Sequence, residues 1–110
     1  METMATTLSK HAEDRLKERN GFPRKAARRM TEKAFWDGLC REDTKGGLRR
    51  WVDGVCTNTA AYYDPGRDIR LYGDTCYIYG SDRTLVTVLK IPRSLVKQVK
   101  YSCANANNPA

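Results

Sequence analysis

The stretch Asp68-Ile69-Arg70-Leu71-Tyr72-Gly73-Asp74-Thr75-Cys76-Tyr77-Ile78-Tyr79 decides the fold class. Two runs rich in aliphatic and aromatic residues flank Gly73-Asp74. That pair suits a two-residue II′ turn, because glycine takes up a positive φ without steric cost. A two-residue loop also fixes the pairing: Tyr72 opposite Thr75, Leu71 opposite Cys76, Arg70 opposite Tyr77, and Ile69 opposite Ile78. Successive side chains alternate across a strand. Ile69, Leu71, Cys76 and Ile78 therefore share one face, and Arg70, Tyr72, Tyr77 and Tyr79 share the other. One apolar and one polar-aromatic face imply a half-buried antiparallel sheet.

Downstream, Gly80–Arg83 reads as the next turn and Leu85–Ile91 as a β-branched strand. The face taken by Thr87 depends on the length of that turn, since a slip of one residue inverts a strand. Pro92 starts a short C-terminal helix over Arg93–Val99, anchored by Leu95, Val96 and Val99; residues 101–110 read as a disordered tail. Upstream, Leu48–Cys56 reads as the opening of the β half, with Asp53-Gly54 as a turn or bulge. Tyr62-Tyr63-Asp64-Pro65-Gly66 reads as a loop.

The first half of the chain is helical by its pattern. Residues 1–8 form a flexible start or a short edge strand. Ser9 is an N-cap for a helix from Lys10 to about Arg19, closed by Asn20-Gly21. Leu8, Ala12 and Leu16 make its apolar stripe, bordered by His11, Arg15 and Glu18, with Arg19 adjacent. Pro23 opens a second helix that runs to about Trp36, with Ala27, Met30 and Ala34 inward. Gly38 and Leu39 fit a Schellman ending. Arg24, Lys25, Arg28, Arg29 and Lys33 make its other surface strongly positive. The expected architecture is α+β: two N-terminal helices packed on a small antiparallel sheet of three or four strands, with a short C-terminal helix. Residues 9–100 form a single domain.

Composition bounds what such a domain can be. The chain has 110 residues and a formal net charge of +7. Residues 10–50 hold thirteen Lys and Arg against seven Asp and Glu, so nearly all of the excess lies on the helical half. Leu, Ile, Val and Phe number only 19, and six Tyr and two Trp supplement this thin aliphatic core. No apolar run is long enough to span a bilayer. The N-terminus has no secretory pattern, so the cytoplasm of a bacterial or phage-infected cell is the expected compartment. Cys40, Cys56, Cys76 and Cys103 include no closely spaced pair, and His11 is the only histidine. Reduced thiols and no metal or cofactor are the expectation.

The string His11-Ala12-x-x-Arg15-x-x-Glu18-Arg19 resembles the opening helix of a family of small bacterial and phage proteins. Ile69-Arg70-Leu71-Tyr72-Gly73, Leu85-Val86-Thr87-Val88-Leu89 and Ile91-Pro92 fit the sheet half of such proteins. The resemblance spans roughly residues 8–95. That family is similar to the RelE-like ribonuclease toxins of the barnase–EndoU–colicin–RelE grouping. The resemblance implies helices on an antiparallel sheet and metal-independent cleavage of RNA.

Such cleavage needs a base for the 2′-hydroxyl, an acid for the leaving oxygen and cations for the phosphorane charge. Imidazole ordinarily titrates near neutrality, so His11 suits acid or base. Glu18 would be the second group or would orient His11, and Arg15 and Arg70 would hold phosphate. Arg19, Arg24, Lys25, Arg28 and Arg29 would contact the RNA backbone, with Tyr72, Tyr77 or Tyr79 stacking on bases. Each group also has a structural reading. Arg15 with Glu18 fits a helical salt bridge, and the tyrosines fit a cross-strand ladder. Besides a toxin or phage effector, two other classes suit the charge. One is a non-catalytic RNA- or DNA-binding module. The other is a phage-type anti-defence inhibitor of a host nucleic-acid enzyme. The expected partners are RNA or another polyanion, an acidic host protein or a cognate antitoxin, with no membrane. A homodimer through free sheet edges is compatible with all three.

Overall fold

The structure, a computed structural model, describes residues 5–58, 68–80 and 82–106. The loop expected at Tyr62–Gly66 and the last four residues lie outside it. The elements in chain order are β1 (Thr7–Leu8), α1 (Lys10–Asn20), α2 (Arg24–Asp37), α3 (Gly46–Asn58), β2 (Asp68–Tyr72), β3 (Thr75–Tyr79), β4 (Thr84–Lys90) and α4 (Arg93–Ala106). A short 3-10 turn at Arg41–Asp43 links α2 to α3. The fold is α+β, as the pattern implies.

The β2–β3 hairpin has the expected register, from Ile69 opposite Ile78 to Tyr72 opposite Thr75. Gly73 carries a φ of +63°, and Asp74 does not share the positive sign, as a II′ turn requires. Sheet order is β1-β4-β3-β2. The sheet is mixed rather than wholly antiparallel, because β1 pairs parallel to β4. The edge strand anticipated before residue 9 is thus real but short. A register shift at Ile78/Tyr79 sets Ile78 opposite Thr87 and Tyr79 opposite Leu85, leaving Val86 as the extra residue. Leu39 pairs with Leu71 through two backbone hydrogen bonds of 2.8 and 2.9 Å, covering part of the outer edge of β2. A covered edge is a poorer template for strand pairing between copies.

Both faces of the sheet are buried, which corrects the half-open sheet expected. On one face Tyr77, Tyr79, Leu85 and Val88 pack against Ala12 and Leu16 of α1 and Ala27, Ala34 and Phe35 of α2. On the other, Ile69, Leu71, Cys76 and Ile78 pack against Leu48 and Val52 of α3 and Val99 of α4. The second layer exists because Gly46–Asn58 is a helix and not a strand with a turn. Leu48, Trp51, Val52 and Val55 recur at i, i+3, i+4 and i+7, a helical apolar face. An ideal Cβ on Gly54 would meet nothing within 4 Å, so this glycine sits in the helix without a packing role.

Helix ends follow local chemistry. The Ser9 side chain accepts the Ala12 N–H, and Gly21, at φ +70°, closes α1. Gly38 departs from the Schellman ending: its φ is −73° and its backbone is extended. Its smallness serves a close approach, since a Cβ there would strike the Ala34 carbonyl and crowd Arg70. Helix α4 continues to Ala106, past both the expected end at Val99 and the expected start of a disordered tail. No helix among the described residues is long and apolar enough to cross a membrane.

Candidate nucleic-acid interface

Of the residues expected to cleave RNA, His11, Arg15 and Glu18 share α1, and Arg70 lies apart on β2. His11 is exposed on α1, and its Nε2 lies 3.4 Å from Thr87 Oγ1. Thr87, next to the bulge at Val86, thus meets α1 at His11. Arg15 and Glu18 form an exposed i,i+3 ion pair at 3.9 Å. Arg19 donates to the Val88 carbonyl at 3.0 Å, tying α1 to β4. Among the described residues, no hydrogen bond or ion pair joins His11 to Arg15, Glu18 or Arg70.

Arg70 is a structural cation. Its side chain is only 14% exposed. Nε donates to the Phe35 carbonyl at 3.0 Å, one of the last carbonyls of α2, which has no helical partner of its own. Nη1 donates to Ile69 O at 3.1 Å and to Asp68 Oδ1 at 3.2 Å. The guanidinium also stacks 4.8 Å above the Phe35 ring. Arg70 lies on β2 and Thr87 on β4, two strand spacings apart, or about 10 Å. The four residues do not form one cleft.

The tyrosines are likewise redirected. Tyr77 and Tyr79 are buried, at 1% and 0% exposure, so neither can stack on a base. Burial pushes both phenols above their ordinary pKa. Tyr79 donates its hydroxyl to the Thr31 carbonyl at 2.6 Å, which makes it a pin between the sheet and α2. Tyr72 is half-buried against the same core. Burial overturns the expected stacking role for Tyr77 and Tyr79, because α1 and α2 cover the face that the hairpin pattern left open.

The outer face of α2 is different. Arg24, Lys25, Arg28, Arg29 and Lys33 are all exposed. Arg24 reaches Glu13 at 3.2 Å, whereas Lys25, Arg28, Arg29 and Lys33 have no ion pair among the described residues. Three like-charge i,i+4 pairs result: Arg24–Arg28, Lys25–Arg29 and Arg29–Lys33. Each opposes helix formation by a few tenths of a kcal/mol. The first turn contains no acidic residue, so cations crowd the positive end of the helix dipole. This distribution does not serve the helix.

Trp36 completes that face, a role the sequence reading gave to the tyrosines. It is 62% exposed. At 100° per residue, Lys25, Arg29, Lys33 and Trp36 fall within an arc of about 80°. Its indole N–H donates to Glu32 Oε2 at 2.7 Å, and Phe35 meets it edge-on at 5.2 Å. Its position on the cationic arc is the sequence signal that could have found it.

Glu32 anchors this arrangement. It also accepts the backbone N–H of Ala5 at 3.1 Å, the N–H of Thr6 at 3.0 Å and the Thr6 hydroxyl at 2.7 Å. Burial raises the pKa of its carboxyl, but the bonds from Thr6, Trp36 and Ala5 together outweigh that and hold it at about 2.

Searches of protein-family models, curated proteins and solved structures find no match to this chain. The described residues contain no cluster of His, Cys, Asp or Glu able to hold a metal ion.

Proposed function

We propose that this protein binds single-stranded nucleic acid through the exposed face of α2. The observation that carries this reading is the placement of Trp36, an exposed and braced aromatic ring among four cations without ion pairs. Cations that track a phosphate backbone, together with a ring on which an unpaired base can stack, are the two parts such binding needs. A duplex hides its base faces and would use the cations alone. Four phosphate contacts to Lys25, Arg28, Arg29 and Lys33 give a salt slope that lowers affinity about 50-fold between ~50 and ~200 mM salt.

Fluorescence anisotropy with labelled single-stranded RNA and DNA tests this reading. Arg28→Glu with Arg29→Glu abolishes binding at moderate salt, and His11→Ala leaves it unchanged. Affinity that ignores both salt and these charge reversals would overturn it. It would turn attention to an acidic protein partner, as an anti-defence inhibitor or an antitoxin-bound toxin requires.

A RelE-like ribonuclease is the second reading. The exposed imidazole of His11 favours it, hydrogen-bonded to Thr87 and one turn from Arg15. Arg70 is tied to the end of α2 and Glu18 lies two helical turns from that imidazole, so cleavage would rely on His11 and Arg15 with groups supplied by the RNA or a second protein. Incubation of purified protein with tRNA and mRNA decides it: intact RNA ends this reading, and cleavage lost in His11→Ala sustains it.

A further inference from the structure

On the opposite side of the sheet from α2, an open groove of about 600 Å³ lies between the hairpin turn, the end of β4 and α4. Gly73 and Asp74 form one wall, and Arg93 and Lys100 the other. Val96, half-buried, supplies apolar surface between them, with the buried Ile91 at the floor. The turn wall is tied to the end of β4. Ile91 N–H donates to the Asp74 carbonyl at 2.9 Å, and Lys90 Nζ pairs with Asp74 Oδ2 at 2.9 Å. The Thr75 hydroxyl donates to Asp74 Oδ1 at 2.9 Å. Asp74 is therefore occupied on both oxygens, and its charge is offset by Lys90.

Arg93 and Lys100 remain. Both are exposed, and neither has an ion pair among the described residues. Seven residues apart, they lie on one face of α4 with Val96 between them, about 10 Å from end to end. Arg93 is also the first residue of α4, where a cation is disfavoured by the helix dipole and an anion would relieve the strain. A Cβ on Gly73 would meet nothing within 4 Å, so the turn backbone is open to close approach.

We infer that this groove binds a nucleotide 5′-phosphate, with the phosphate at Arg93 and Lys100 and the nucleoside against Ile91 and Val96. The volume is of the size that holds small organic ligands. The exposed charges of Arg93 and Lys100 suit an anion, and the apolar strip suits a ligand with an organic body besides its phosphate. Two sources share this chemistry: a free mononucleotide, and the 5′-phosphorylated end of a strand. The site is independent of the α2 face.

The test titrates the whole chain with AMP, adenosine and inorganic phosphate, following the backbone amide resonances of Gly73, Asp74 and Ser94. AMP shifts these amides at lower concentration than phosphate, and adenosine leaves them unmoved. Arg93→Ala with Lys100→Ala, at two exposed positions that leave the core intact, weakens AMP binding at least tenfold. Arg28→Glu with Arg29→Glu leaves it unchanged, which separates this site from α2. A second titration compares oligonucleotides bearing a 5′-phosphate or a 5′-hydroxyl. Preference for the phosphorylated strand over AMP assigns the strand end, and the converse assigns the free nucleotide. No shift at these amides with either phosphate-bearing probe, or equal AMP affinity in the double variant, overturns the inference.

Discussion

The indole N–H of Trp36 donates to Glu32 Oε2 at 2.7 Å, and the same carboxylate holds the N–H groups of Ala5 and Thr6. One side chain thus fixes both the start of the sheet and the pose of the exposed ring. A ring already held in place loses less side-chain entropy when a base stacks on it. Trp36→Ala is expected to weaken single-stranded RNA binding by about 1–3 kcal/mol, roughly 5- to 150-fold, with Trp36→Phe retaining most of the affinity. Double-stranded RNA of equal charge should bind both variants as it binds the parent. Anisotropy titrations of the two RNA forms measure this, and an equal loss for both would remove stacking from the account.

The same carboxylate makes stability depend on pH. Its pKa falls from an ordinary value near 4.5 to about 2 in the fold, because its hydrogen bonds outweigh burial. A depressed folded pKa contributes stability that is fully present above about 4.5. That contribution is lost as pH falls through 4.5 toward 2. Glu32→Gln should cost about 1 kcal/mol at neutral pH, a figure kept low because the site is partly open to water. Urea unfolding of parent and variant checks this. The gap between them should narrow as pH drops below about 4.5 and close only near 2, and a gap independent of pH would assign the loss to packing.

The hairpin was legible because its turn, alternation and register all follow from residues within twelve positions of one another. Caps at Ser9 and Gly21 were legible for the same reason. What the sequence hid was long-range. Tyr77 and Tyr79 look like an open face until α1 and α2 are placed over them. Arg70 looks like a free phosphate ligand until the end of α2 is set beside β2, a contact between residues 35 positions apart. The helical spacing of Leu48, Trp51, Val52 and Val55 was present, but Asp53-Gly54 carried the louder local signal of a turn. The cations of α2 needed only helical periodicity to be found, but Trp36, on the same arc, was passed over for the tyrosines of the hairpin.

Arg70 separates a structural from a catalytic role. Its guanidinium reaches the Phe35 carbonyl, Ile69 O and Asp68 while stacking on the Phe35 ring. Arg70→Ala should lower stability by about 1–3 kcal/mol, since it unpairs a helix-end carbonyl and uncovers an aromatic face. Arg70→Lys should recover little, because a point charge does not reproduce a planar fork. Once folded, both variants should bind single-stranded RNA as the parent does. Thermal unfolding read beside anisotropy tests this, and a variant of parental stability with lost RNA binding would return Arg70 to the interface.

Gly54 tests the α3 layer on which the second core depends. It lies inside the helix, with open space where a Cβ would stand. Glycine in a helix interior costs roughly 0.5–1 kcal/mol relative to alanine, through the backbone entropy it loses. Gly54→Ala should therefore stabilise the protein by that amount, with no steric cost to offset it. Asp53 before it is already fixed by Arg41 at 2.7 Å and by Arg49 at 3.6 Å, one helical turn away, so the surrounding backbone need not move. In a two-residue Asp-Gly turn the glycine would need a positive φ, and alanine would then be destabilising. Urea unfolding midpoints of parent and variant distinguish the two: a rise supports the helix, and a fall would restore the turn and dissolve the layer beneath β3.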